Sequence, residues 1–92
     1  MTVSFRVYGY LNGFLPPVRR GSRFRHVLGT HRSVRDALAI LGVPHSRVDV
    51  VVVNGTPVEF SYLLEEGDRV ALYPAFRSID LGDTVRAGGR AD

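Results

Sequence analysis

The sequence contains no cysteine and no lysine among its 92 residues, and no long apolar run. Without cysteine, the chain has no disulfide, no thiolate metal ligand and no cysteine nucleophile. No apolar segment approaches the roughly 20 residues that a membrane-spanning helix requires. The N-terminal MTVSFRVYGY lacks the basic and apolar segments of a signal peptide. We therefore expect a soluble, cytoplasmic protein.

Length and composition are those of one small folded domain. The chain is 45% apolar and contains five Phe and four Tyr, enough for a packed core. A domain of this size buries only about 60–65% of the surface that its unfolded chain exposes, which leaves little room for an enclosed active site.

The positive charge is concentrated in the first third of the chain. All twelve residues counted as Lys or Arg are arginine, and the first acidic residue is Asp36. The arginines before it are Arg6, Arg19, Arg20, Arg23, Arg25, Arg32 and Arg35. Two interpretations stay open: solvated faces in a protein rich in arginine, or a basic face for phosphates or an acidic partner.

The first part of the chain predicts two strands joined by a long loop. Residues 2–10 and 22–28 alternate apolar and polar side chains, as half-buried strands do. Residues 11–21 between them contain two Gly and two Pro and predict a loop. Two strands at the start of a domain suggest a hairpin.

One short helix is predicted over residues 34–41. Ser33 precedes it as an N-cap, with Asp36 in the position of a capping-box acid. Gly42 and Pro44 are typical of the residues that follow a helix. The apolar residues Val34, Ala37, Leu38 and Leu41 follow helical spacing and form one stripe.

The second half predicts further strands. The apolar, β-branched run 48–53 is typical of a central strand buried on both faces. Asn54-Gly55 predicts a turn, and Pro57 restricts residues 56–58 to an edge or a strand start. After a turn over 61–67, residues 69–73 form the last strand, and residues 77–92 read as a flexible tail beyond a domain of residues 1–76.

The order of these elements favours an α+β domain in which one helix covers one face of a mixed sheet of four to five strands. We expect the first and last strands to lie side by side and parallel in the middle. That is the ubiquitin-like β-grasp arrangement, although the order alone also fits a small α+β sandwich.

Several segments in the expected order resemble a known domain. They are Tyr10–Pro17 with Arg19-Arg20-Gly21, then Gly42–His45, Val48–Gly55, Pro57–Tyr62, Glu66–Val70 and Tyr73–Phe76. This series resembles the ubiquitin-like domain that precedes the PIN-like RNase domain in bacterial proteins of the Mut-7 C-terminal family. More distantly, the Asn-Gly turn, the Gly-Asp turn and the final aromatic-Pro pair resemble the sulfur carriers of thiamine and molybdopterin synthesis.

The resemblance implies a β-grasp fold and a non-enzymatic role beside an RNase. The 92 residues contain no RNase domain. Two expectations follow: the partner is a separate PIN-like nuclease, or the domain serves another purpose.

The basic segment carries the main functional hypothesis. Arginine pairs bidentately with phosphate and carboxylate groups. We expect Arg23 and Arg25 to share a strand face, with Tyr8 and Tyr10 on the neighbouring strand as stacking partners for bases or arginine. The complete predicted site is Tyr8, Tyr10, Arg19, Arg20, Arg23, Arg25, Arg32 and Arg35. It would bind RNA or an acidic protein surface; a third possibility is an open sheet edge that accepts a partner's strand.

The pair Gly88-Gly89 supports an alternative. Sulfur carriers and ubiquitin-type modifiers end in Gly-Gly, because the tail threads a narrow enzyme channel where a Cβ would obstruct it. Here Arg90-Ala91-Asp92 follow the pair, so a protease would have to remove them. The competing interpretation is a flexible tail in which two glycines are adjacent by chance.

No catalytic constellation is present in the sequence. The three histidines at positions 26, 31 and 45 lack metal-ligand spacing, and no G-x-S-x-G motif supports a serine nucleophile. We expect no catalytic residues, no metal and no cofactor.

Overall fold

The computed structural model describes residues 1–30 and 32–75. The strands are β1 (Thr2–Val7), β2 (Phe24–Val27), β3 (Val48–Val53), β4 (Thr56–Val58) and β5 (Arg69–Pro74), and the helix is α1 (Val34–Leu41). Short 3₁₀ segments cover Gly9–Phe14, Pro17–Arg19 and His45–Arg47. Within the described residues, no helix is long and apolar enough to cross a membrane.

The five strands form one mixed sheet in the order β2-β1-β5-β3-β4. The first and last strands pair in parallel at its centre, as predicted, and the other neighbours are antiparallel. One helix covers one face of this sheet, and the ubiquitin-like β-grasp prediction is confirmed.

Helix α1 has the predicted bounds and caps. The Ser33 hydroxyl accepts a hydrogen bond from the Asp36 N–H at 3.0 Å, which satisfies one free donor of the first turn. At the other end, Gly42 adopts a left-handed φ of +79°, a conformation that favours glycine. The helix begins against the segment before β5, where the N–H of Val34 donates to Tyr62.

A single core lies between the helix and the sheet. Alternate residues of β1 and β5 point into it, while α1 contributes its apolar stripe. Its centre is fully buried: Phe5 is 1% exposed, and Leu64, from the segment before β5, is 0% exposed.

The prediction that strand 48–53 is buried on both faces is wrong. β3 lies inside the sheet between β5 and β4, but Val50 is 38% exposed and Val52 is only half-buried. The reason is that the described part of the chain has one α-helix, which covers one face of the sheet and leaves the other without a helix. An apolar run can therefore occupy a sheet with one open face.

Two turns at one end of the sheet are joined through side chains. The Asn54 amide donates to Asp68 Oδ1 at 2.9 Å, and the N–H of Glu65 donates to Asp68 Oδ2 at 2.8 Å. The N–H of Arg69 donates back to Asn54 Oδ1 at 2.9 Å. Asp68 is only 7% exposed, and this turn clamp, formed by Asn54, Glu65, Asp68 and Arg69, fixes the start of β5.

Candidate functional site

Within residues 1–30 and 32–75, no helix or second sheet covers the face of the sheet opposite α1, and we call it the open face. Strand register and alternation define its members. They are Thr2, Ser4, Arg6, Tyr8, Arg23, Arg25, Val27, Val50, Val52, Pro57, Arg69, Ala71 and Tyr73.

Arginines gather around Ser4 at the β2 side of the open face. Arg25 and Arg69 pair in register with Ser4 on its two neighbouring strands. Arg23 Nη1 donates to Ser4 Oγ at 3.1 Å. Together with Arg6, which lies two residues further along β1, these residues form the arginine cluster.

The arginine cluster surrounds an open depression of 720 Å³. Arg23, Arg25 and Arg69 line it together with Ser4. Glu66 stands on its rim, where one of its carboxylate oxygens accepts the N–H of Thr2 at 2.9 Å. Arginines from β2, from the residue before it and from β5 therefore line one depression.

The charge of the arginine cluster is not neutralised by carboxylates of the open face. Among the described members of that face no side chain is acidic. The hydrogen bonds of the cluster go to neutral oxygens: Arg23 to the Ser4 hydroxyl, and Arg6 to the Val7 carbonyl at 2.6 Å. With three arginines and the one carboxylate of Glu66 around the depression, the patch has a net positive charge that attracts acidic groups and disfavours basic partners.

An aromatic pair lies beside the arginine cluster. The rings of Tyr8 and Tyr73 stack with centroids 4.6 Å apart and planes 2° from parallel. The guanidinium carbon of Arg6 lies 4.4 Å from the Tyr8 ring centroid. The Tyr8 ring is thus already in contact with two side chains, one aromatic and one cationic.

Arg19 and Arg20, predicted in the same patch, lie elsewhere. Arg19 is in the second 3₁₀ segment, with its guanidinium 4.8 Å from the Phe24 ring centroid. Phe24 pairs with buried Phe5, so this contact is on the helix side of the sheet. Arg20 donates to the Leu15 carbonyl at 2.9 Å and holds the loop.

The contact between Arg19 and His26 fixes the state of the imidazole. Arg19 Nη1 lies 3.3 Å from His26 Nδ1, and arginine can only donate, so Nδ1 must be the acceptor. Burial, and secondarily the positive charge of Arg19, lowers the pKa of His26 below its ordinary value of 6.5. His26 is therefore neutral at pH 7.

Arg32 and Arg35 are also remote from the open face. Arg32 donates to the Leu64 carbonyl at 3.2 Å, and Arg35 Nη1 lies 2.9 Å from His45 Nε2. The prediction of one continuous basic face from Arg19 to Arg35 is wrong. Its arginines alternate between strand, loop and helix, and only Arg23 and Arg25 lie on the open face.

Tyr10 is not on the neighbouring strand either, so that prediction is also wrong. β1 ends at Val7, and Gly9 turns the chain with a φ of +60°. A Cβ at Gly9 would lie 2.9 Å from Pro74 Cγ, so the turn requires glycine. Tyr10 follows in a 3₁₀ segment, and its hydroxyl lies 3.1 Å from the Ala75 carbonyl.

Among the arginines and tyrosines of the open face, sequence reasoning missed three: Arg6, Arg69 and Tyr73. The signal was available, because Arg6 alternates with buried Phe5 and Val7 in the sequence. The predicted parallel pairing of the first and last strands would then have brought Arg69 and Tyr73 beside it. His31, Gly88, Gly89 and the whole of 77–92 lie outside the described residues.

A family model described as Mut7-C ubiquitin matches residues 1–80 of the chain. No curated protein gives a significant sequence match.

Solved structures with the same fold include two single proteins and a complex. SAMP1 from Haloferax volcanii superposes with a TM-score of 0.60 at 20% identity, covering 83% of this chain and 97% of its own. The protein from Pyrococcus furiosus named as molybdopterin converting factor, subunit 1, gives 0.60 at 22% identity, covering 83% and 99%. A protein–protein complex of subunits 1 and 2 of the molybdopterin-converting factor from Helicobacter pylori contains a chain that gives 0.54 at 19% identity, covering 83% and 96%.

Proposed function

Because this chain belongs to the Mut7-C ubiquitin family, we propose that it is a non-enzymatic binding module that docks through its open face on an acidic surface of a protein partner. The arginine cluster supports the proposal most directly, since Arg23, Arg25 and Arg69 line one depression around Ser4 and outnumber its one carboxylate, that of Glu66.

The composition of the open face also fits a protein partner. Tyrosine and arginine are enriched in the centres of protein interfaces, where acids are depleted. Beside the arginine cluster the face offers the Tyr8–Tyr73 pair and the apolar side chains of Val50, Val52 and Ala71. Charge complementarity would orient the partner, and the apolar part would exclude water.

RNA is the other ligand that an arginine-rich face could bind, and the aromatic pair argues against it. Single-stranded nucleic acid is bound by stacking bases on exposed aromatic rings. Tyr8 is already in contact with Tyr73 and Arg6, and Tyr10 lies at the end of the sheet with its hydroxyl near Ala75. An acidic protein surface requires no such stacking. The family resemblance suggests a PIN-like RNase as the first partner to test.

Reversing the charge of the depression tests the proposal. We expect the triple variant Arg23→Glu, Arg25→Glu, Arg69→Glu to lose about 100-fold in affinity for the PIN-like RNase of the same host, because its acidic surface would then be repelled. Titration calorimetry with the two purified proteins measures the effect. The double variant Arg32→Glu, Arg35→Glu is the control, because both side chains are remote from the open face, and it should bind normally.

Capture from host lysate separates protein from RNA. A partner that survives RNase treatment and is lost with the triple variant supports docking on protein. Binding to single-stranded RNA with a steep salt dependence, and no RNase-resistant partner, contradicts it.

A sulfur carrier or protein modifier is the second candidate. It is favoured by the fold shared with subunit 1 of the molybdopterin-converting factor and by the pair Gly88-Gly89. This function requires that Arg90-Ala91-Asp92 be removed. Intact mass of the protein isolated from its host tests it: we expect a species ending at Gly89, or one with sulfur in place of a carboxyl oxygen. Complete retention of Asp92 excludes the carrier role.

A further inference from the structure

The outer side of strand β2 has backbone groups that are directed away from the sheet. Among the strands of the described residues, β2 lies at an edge and pairs only with β1. The N–H of Leu28 donates to the Met1 carbonyl at 2.8 Å, and the Met1 nitrogen donates to the Leu28 carbonyl at 3.0 Å. In an antiparallel pair, hydrogen-bonded and non-hydrogen-bonded residues alternate.

That alternation assigns the direction of each backbone group of β2. His26 and Phe24 face β1, in line with Leu28, while Arg25 and Val27 direct their N–H and C=O groups outwards. The hydrogen bonds on the other side of β1 agree with this assignment. Ser4, which lies opposite Arg25, directs its N–H away from β2 and donates it to the Asp68 backbone carbonyl at 3.0 Å. Two outward donors and two outward acceptors therefore form the β2 edge.

The opposite edge of the sheet is blocked. β4 has three residues, and Pro57 at its centre pairs with Val52. The Asn54-Gly55 hairpin makes Thr56 and Val58 the residues that face β3, so the outward position belongs to Pro57, which has no N–H. Of the two edges in the described sheet, only β2 offers donors and acceptors to another strand.

The side chains at the β2 edge select the kind of strand that fits. Arg25 and Arg23 flank it on the open face, and Arg19 flanks it on the helix side beside Phe24. Val27 is 72% exposed. A second copy of this chain does not fit, because pairing β2 with β2 would bring two sets of these arginines together. An acidic strand would neutralise them instead.

We propose that the β2 edge accepts an extended acidic segment of a partner protein as an additional strand of the sheet. The backbone groups of Arg25 and Val27 bind its main chain. Acidic side chains of the segment pair with Arg25 and Arg19, and an apolar one covers Val27. The inference rests on the proposed function only in that the partner is a protein, and it names a contact that open-face docking does not require.

A synthetic peptide of about seven residues with Val at its centre and Asp at the other positions serves as the probe. With the Val opposite Val27, one Asp two positions away lies opposite Arg25, and an Asp next to the Val lies on the side of Arg19. We expect its titration into the ¹⁵N-labelled chain to shift the amide signals of Arg25 and Val27 and to slow their hydrogen exchange. The same peptide with its central Val replaced by Pro keeps its charge but loses a main-chain donor, and we expect it to bind about tenfold more weakly.

Two protein variants separate the edge from the open face. Val27→Pro removes an outward donor while the bonds to β1 remain, and we expect about a tenfold loss of peptide affinity. Val50→Ala changes the open face three strands away without a change of charge and should leave peptide binding within about twofold. Should Val27→Pro disturb the fold, visible in the amide spectrum, the Pro-containing peptide still gives the answer on the unaltered protein.

The outcomes are distinct from those of the docking test. Equal binding of both peptides, or shifts confined to Arg69 and Ala71, overturns strand addition and leaves open-face docking intact. Concentration-dependent dimers seen by sedimentation and disrupted by Val27→Pro would assign the edge to a second copy and overturn the inference. Shifts at Arg25 and Val27 produced by oligouridine and not by the peptide would overturn it in favour of RNA.

Discussion

Replacing Phe5 with alanine is expected to lower the free energy of unfolding by about 3–5 kcal/mol. Phe5 is 1% exposed on the central strand β1, and its ring stacks on that of Phe24 at a centroid distance of 5.8 Å. The substitution removes buried apolar surface and leaves a cavity beneath the helix. Domains of this size have a total stability of about 5–14 kcal/mol, so the variant is expected to approach the limit of folding.

Urea denaturation followed by circular dichroism measures this effect. We expect a lower midpoint with an unchanged slope, because the surface exposed on unfolding changes little. Phe14→Ala is the matched control: Phe14 is 38% exposed in the loop, and its removal should cost below about 1 kcal/mol. Equal losses for the two variants would contradict the placement of the core between β1 and the helix.

Local sequence patterns predicted the elements of this fold well where each pattern is compatible with only one structure. Helix α1 runs from Val34 to Leu41 as expected, because cap, apolar stripe and terminating glycine all agreed. The parallel pairing of β1 and β5 followed from element order. The burial of β3 did not, because a β-branched run is compatible with one covered face as well as two, and only the number of helices decides between them.

Only part of the candidate site was predicted, because the alternation of side chains relates residues to one another only within one strand. It related Arg23 to Arg25, and both lie on the open face. It could not relate them to Arg19, which precedes the strand in a 3₁₀ segment and turns to the helix side. Arg69 is far away in sequence and joins the site only through the pairing of β5 with β1.

The open face and the β2 edge share Arg23 and Arg25, and this sharing has a structural consequence. A strand added at the edge would extend the open face, since its outward side chains would continue the plane of the sheet beyond Arg25. One partner could then contact the depression and the edge together. Binding at two adjacent places raises affinity through effective concentration without any further contact.

Replacing Asp68 with alanine is expected to lower the free energy of unfolding by about 2–3 kcal/mol. The carboxylate is 7% exposed and accepts two hydrogen bonds, from the Asn54 amide and the Glu65 N–H. The variant leaves both donors without their partner and releases Asn54 from the turn clamp. Because Asn54 in turn accepts the N–H of Arg69, the start of β5 should exchange its amide hydrogens faster.

The variant Asp68→Asn keeps the size and shape of the side chain but removes its charge and one of its two acceptor oxygens. Its single oxygen can serve one of the two donors, while its amide group would oppose the other, so we expect a loss of about 1–2 kcal/mol. Glu59→Ala is the control, because Glu59 is an exposed carboxylate outside the clamp and should change stability by less than about 0.5 kcal/mol. Thermal and urea unfolding of the three variants rank them. If Asp68→Ala were as mild as Glu59→Ala, the clamp would not hold β5, and the position of Arg69 beside Ser4 would depend on strand pairing alone.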